Sequence, residues 1–132
     1  MSRLFTIATA VAVLATAALP ALSYTHGQWE DFQRGIEAFQ ERAYEQAYRM
    51  WAPLAEAGIP QAQYNLGVIY TNGNGIPRDY VEAYKWFAIA LAAGNIDAAA
   101  ALVTIAARMT KQQIAEAEVR VAAWHALHPR AL

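Results

Sequence analysis

The chain has 132 residues, 57% of them hydrophobic and 16% charged, with a net charge of −1 and no cysteine. That length holds one domain with a modest core, the balanced charge shows no basic stripe of the kind a nucleic-acid binder carries, and the lack of cysteine excludes disulfides, zinc–thiolate sites and thiol nucleophiles. Abundant alanine, with few β-branched runs after the N-terminus, favours helices because alanine loses no side-chain entropy in one.

Residues 1–23 differ from everything after them. Arg3 is followed by an uncharged run from Leu4 to Leu19, then Pro20, then Ala21-Leu22-Ser23 before Tyr24. A short positive start, an apolar stretch, a helix breaker and small residues at −3 and −1 are the layout of a secretory signal peptide. The run is short for a span of ~20 residues, so cleavage near Ser23/Tyr24 is expected, with a retained anchor as the alternative. A periplasmic or secreted chain without a stable membrane span follows, assigned to residues 24–132.

Apolar spacing predicts helices over about 27–41 and 43–57. In the second, Ala47, Met50, Trp51, Leu54 and Ala55 recur at the i, i+3, i+4, i+7, i+8 positions of one helical face. Pro53 lies inside it and should bend it. Helices at about 60–72 and 78–93 come next, joined by the segment TNGNGIPRD, whose Asn and Gly residues suit a tight turn. Its Gly73-Asn74-Gly75 is a poor dinucleotide-binding motif, because no strand precedes it and the third glycine is missing. A last pair is expected at about 95–109 and 111–127, with Thr110 and Gln113 forming a capping box.

The order of these helices hides a repeat. Residues 44–58, YEQAYRMWAPLAEAG, and 80–94, YVEAYKWFAIALAAG, are offset by 36 and share Tyr44/Tyr80, Ala47/Ala83, Tyr48/Tyr84, Ala52/Ala88, Ala57/Ala93 and Gly58/Gly94. The apolar pattern repeats with the identities, and each segment ends on a glycine able to take a left-handed C-cap. Ala62, Leu66, Ile69 and Tyr70 recur at the same offset as Ala98, Leu102, Ile105 and Ala106. The chain alternates two helix types, A and B.

Ala62-Gln63, Leu66-Gly67, Tyr70, Gly73, Gly75, Asp79-Tyr80, Ala83, Lys85-Trp86, Ala90 and Gly94 together resemble the Sel-1-like repeat, a relative of the tetratricopeptide repeat. Gly35, Ala38, Tyr44, Ala47, Trp51, Pro53-Leu54-Ala55 and Gly58 resemble a first unit with a shorter loop. The third unit departs most, with Val103 in place of the helix glycine and no Gly-x-Gly loop, and looks like a terminal cap. The resemblance implies an all-α fold, a short α-solenoid of stacked antiparallel helix pairs in a right-handed superhelix, with unit one at about 27–58, unit two at about 60–94 and a cap pair at about 95–127. It also implies close A–B contact through Gly35 and Gly67 on the A helices and Ala47 and Ala83 on the B helices, with Trp51, Trp86, Phe87 and Tyr70 in the core.

No residue set suggests catalysis, and no cofactor is implied. His125 and His128 are three apart but lack a third ligand at metal-site spacing, and the acids lie mostly on polar helix faces. By analogy with tetratricopeptide repeats, Trp29, Phe32, Ile36 and Phe39 on the first A helix line the concave surface, followed by Tyr64, Val68 and Thr71 on the second. An equally open alternative buries the first stripe as ordinary core. The expectation is an exported bacterial adaptor or scaffold for a protein or peptide partner. A cell-envelope binder of peptidoglycan or glycan fragments is the alternative, and an enzyme is not expected.

Overall fold

The computed structural model describes residues 24–73 and 75–130, so the expected signal segment lies outside the described residues. Six helices follow in order: α1 (His26–Gln40), α2 (Tyr44–Glu56), α3 (Pro60–Asn72), α4 (Tyr80–Ala92), α5 (Asp97–Ala106) and α6 (Lys111–Leu127). No strand occurs among the described residues. No helix there is long and apolar enough to cross a membrane.

Local chemistry sets the helix ends. Thr25 and Gln28 exchange side-chain and backbone bonds of 3.2 and 2.9 Å at the start of α1, a capping box the spacing reading passed over. Thr110 and Gln113 form the expected one on α6, at 3.1 and 2.9 Å. The Asp79 carboxylate accepts from the Glu82 amide and starts α4. Both B helices stop at glycines with left-handed φ, +92° at Gly58 and +100° at Gly94, so the turn into the next helix repeats as the 36-residue offset requires. The α2 helix runs through Pro53, whose ring is exposed.

Packing follows from two bare positions. At Gly35 an added Cβ would lie 2.2 Å from the Trp51 ring, and at Gly67 it would lie 2.5 Å from the Phe87 ring. Each B-helix ring therefore rests directly on the backbone of its A helix, an approach only glycine permits. Ala47, Ala83 and Ala90 beside these rings are fully buried. The Trp51 indole donates to the Phe32 carbonyl at 3.2 Å, locking the first pair. Between pairs, buried Gln63 donates to the Ala55 carbonyl at 3.1 Å, and the Tyr48 and Tyr70 hydroxyls meet at 3.0 Å. One buried cluster spans α1 to α4 and reaches Trp124 of α6, and a second joins α4 to α5 around Phe87 and Ile105.

The last pair is built differently. Here α6 packs on α4 and not closely on α5. Trp124 is buried, sits edge-on to Trp86 at 6.3 Å and donates to the Glu56 carboxylate at 2.9 Å. Arg120 bridges to Glu82 at 2.7 Å, and His128 stacks on Trp124 at 4.0 Å. Val103, at the place of the helix glycine, is 73% exposed, with no ring above it.

Candidate functional site

The widest difference between the A helices is what lies over their B-helix rings. On α1, Phe32 and Phe39 cover Trp51, with ring centroids 6.2 and 5.7 Å from it. Phe32 is only 6% exposed, and Ile36 and Phe39 are half-buried against the same cluster. The stripe thus fills its own hollow, and this part of the expected groove is core. Trp29 stays 47% exposed, flanked by Tyr24 and Phe32 at 5.5 and 6.1 Å.

On α3 Tyr64 stands at the place of Phe32, but Val68 and Thr71 are smaller than Ile36 and Phe39, and the space beyond Tyr64 stays open. Tyr64, Val68 and Thr71 line one wall of a depression of about 270 Å³; Phe87 is its floor, and Ala101, Thr104 and Ile105 of α5 form the far wall. Asn72 and Arg108 stand at its end. Tyr64 leans on Phe87 with centroids 5.5 Å apart. Gly67 underlies the floor, since its lack of a side chain lets Phe87 descend far enough to leave room above.

Of the seven residues expected to share a groove, the structure brings together Tyr64, Val68 and Thr71. It does not bring Trp29, Phe32, Ile36 and Phe39 to them. Arg108, Asn72 and Ala101 were missed, although helical spacing could have found them: Arg108 is i+4 from Thr104 and Asn72 is i+4 from Val68. Phe87 was read as core, which it also is, at 3% exposed.

Polar chemistry in the hollow is one-sided. The Thr71 and Thr104 hydroxyls are committed to backbone carbonyls one turn back, at 2.8 and 3.0 Å. No acidic residue lines the depression. Beside it, Arg78 donates to the Tyr80 hydroxyl at 3.2 Å. The bond from Arg78, with the positive charge of Arg108 adding to it, holds the Tyr80 phenol below its usual range. His128 lies 3.7 Å from the Glu56 carboxylate, and no group of three His, Asp or Glu side chains stands at metal-binding distance among the described residues.

Stacked antiparallel helix pairs with a bare A-helix position under each B-helix ring define an α-solenoid. Residues 60–95 match the Sel1 repeat. A solved structure, that of c5321, a protective antigen of uropathogenic Escherichia coli with an SLR fold, superposes with a TM-score of 0.72 and 27% identity, over 79% of this chain and 24% of that one. The chain thus carries a Sel1 repeat at residues 60–95 and shares the all-helical SLR fold of that structure. It is also 38% identical over 63 residues to a chitin synthase regulator of Saccharomyces cerevisiae, a stretch covering 48% of this chain and 9% of that protein. The chain thus spans about a quarter of the solved relative and under a tenth of the curated one.

Proposed function

We propose that the protein is a binding scaffold that holds a segment of a partner protein in the hollow between α3 and α5. The carrying observation is the open depression over Phe87, walled by two A helices, where the first pair has filled the equivalent space with its own phenylalanines. Proteins built on this repeat are typically non-enzymatic mediators of protein–protein contact, and the hollow offers shape and apolar surface. Export belongs to the same reading and rests on Arg3, the uncharged run and Ala21-Leu22-Ser23. Mass spectrometry of the protein from its native host should find Tyr24 at the N-terminus, and an intact Met1 would remove that part.

A photo-crosslinking residue at Thr104, on the lip of the hollow, tests the site against one at exposed Arg49 on α2. A discrete protein adduct is expected from position 104 and not from 49, and Val68→Arg should abolish it without lowering the melting temperature. Adducts of equal yield at both positions would put the partner elsewhere. Glycan binding is the second reading, and the exposed Trp29 ring speaks for it. It requires that muropeptides quench the fluorescence lost in Trp29→Phe.

A further inference from the structure

Basic side chains without a carboxylate partner among the described residues occur on open surface, as at Arg42 and Lys111, but Arg108 is one that lines the apolar hollow. Arg34, Arg49, Lys85 and Arg120 each hold a carboxylate. Arg78 and Arg108 hold none among the described residues, and Arg78 donates to a neutral phenol, that of Tyr80. A phenol oxygen compensates a guanidinium only in part. A guanidinium's planar fork of donors is matched best by a carboxylate, bound through two parallel N–H···O bonds. Arg108 lines the apolar hollow, where no such partner is present. No acid lines the hollow, and Asp79, which stands beside Arg78, has its carboxylate on the Glu82 amide.

The hollow's size limits what can enter it. At about 270 Å³ and open along one side, it is smaller than the ~300–1,000 Å³ of pockets that enclose drug-sized ligands. It suits one bulky apolar side chain on the Phe87 ring, with the flanking backbone running along α3 and α5.

We propose that the hollow recognises an extended peptide segment bearing a bulky apolar residue for the Phe87 floor and, next to it, a carboxylate for Arg108. This rests on reading the hollow as the partner site and adds the chemistry of the partner. The carboxylate comes from an Asp or Glu side chain or from a chain terminus, since a guanidinium fork serves both.

The test is a peptide array probed with the purified full chain. Leu, Phe, Met or Tyr is fixed at the centre, its neighbours vary among Asp, Glu, Asn, Lys and Ala, and each peptide is made with a free and an amidated C-terminus. Acidic neighbours, or a free terminus beside the apolar residue, should raise binding at least tenfold over the Asn and amidated counterparts, and added salt should weaken it. Arg108→Glu should erase that preference, while Arg130→Glu, a charge reversal at an exposed site beyond α6, should keep it. Retention by amidated internal acids assigns the carboxylate to a side chain, and retention only by free ends assigns it to a terminus. Binding that follows the apolar residue but ignores charge, or that survives Arg108→Glu, overturns the carboxylate while leaving the hollow as the site. A preference for Lys, or no binding above an all-Gly/Ser background, also overturns the inference, and the crosslinks at position 104 then judge the hollow by themselves.

Discussion

The first two helix pairs and the last one solve the same packing problem in opposite ways. In α1–α2 and α3–α4 a glycine on the A helix meets a ring on the B helix, and the two backbones close on each other. In α5–α6 the glycine is Val103, and the spacing that leads from Gly35 to Trp51 leads from Val103 to Val119, which is 69% exposed. With neither the bare position nor the ring, α6 leaves α5 and anchors on α4 through Trp124 and Arg120. A repeat protein propagates through contacts between neighbours, so replacing one contact type redirects the next helix without disturbing those before it.

The anchor should give the largest effect. Trp124 is buried between Trp86, Glu56 and His128, and removing a buried indole costs about 3–5 kcal/mol. Trp124→Ala should release α6 while α1–α5 hold, giving protease cleavage within residues 111–127 and partial loss of helical signal. An α6 as protected as in wild type would mean that it is held by something other than this anchor.

The close pairs come next. Gly67→Leu puts a side chain where Phe87 already lies, and overpacking costs about 1–3 kcal/mol. Gly35→Leu should do the same against Trp51. Only Gly67→Leu should also alter binding in the hollow, because it moves the floor. Chemical denaturation checks the first expectation, and equal stability of either variant with wild type would refute the glycine–ring contact. Crosslinking at position 104 checks the second.

Much of this arrangement was legible in the sequence. The 36-residue offset, the apolar spacing and the paired glycines placed the helices to within a few residues, because they encode local geometry. Gly35, Gly67 and Val103 pointed to the difference between the pairs. The hollow was less legible. The stripe Trp29, Phe32, Ile36, Phe39 and its counterpart on α3 occupy equivalent positions, yet one is filled and one is open. What decides is whether the side chains facing across the groove are large or small, and Ala101 and Thr104 matter only once α5 is set beside α3. Arg108, just past the end of α5, likewise joins the α3 residues only through the packing of the two helices, which no single period connects.

Acid should loosen the last pair more gently. Burial, the largest influence on Glu82, favours its neutral form, but the bonds from Lys85 and Arg120 outweigh it and hold the carboxyl below its usual range. A carboxyl depressed in the folded state stabilises above its unfolded pKa, and that stability is lost as pH falls through the folded value. Docking of α6 should therefore be firm at neutral pH and weaken below the ordinary carboxylate range. Arg120 is 39% exposed on its side chain, so solvent limits the contribution to about 1 kcal/mol or less. Glu82→Gln should flatten this part of the acid dependence, measured as protease protection of α6 against pH. An unchanged acid profile would assign the dependence to other groups.

The smallest effects belong to Val103, and their sign separates two explanations of the open last pair. If the valine alone kept α6 away, Val103→Gly would restore the close contact and stabilise the protein. The geometry says otherwise, because a bare position gains nothing without a ring to fill it, and Val119 supplies none. Val103→Gly should then only weaken α5, by the roughly 0.5–1 kcal/mol that glycine costs inside a helix. Val103→Leu, which adds bulk at an exposed site, should change stability by no more than about 0.5 kcal/mol, although leucine is the residue predicted to be damaging at Gly67. Denaturation midpoints of the two variants beside Gly67→Leu decide the matter. A gain from Val103→Gly would show that the glycine suffices and that α6 is held off α5 by one side chain. A large loss from Val103→Leu would show that position 103 is covered in solution, and that this face of α5 is itself a contact surface.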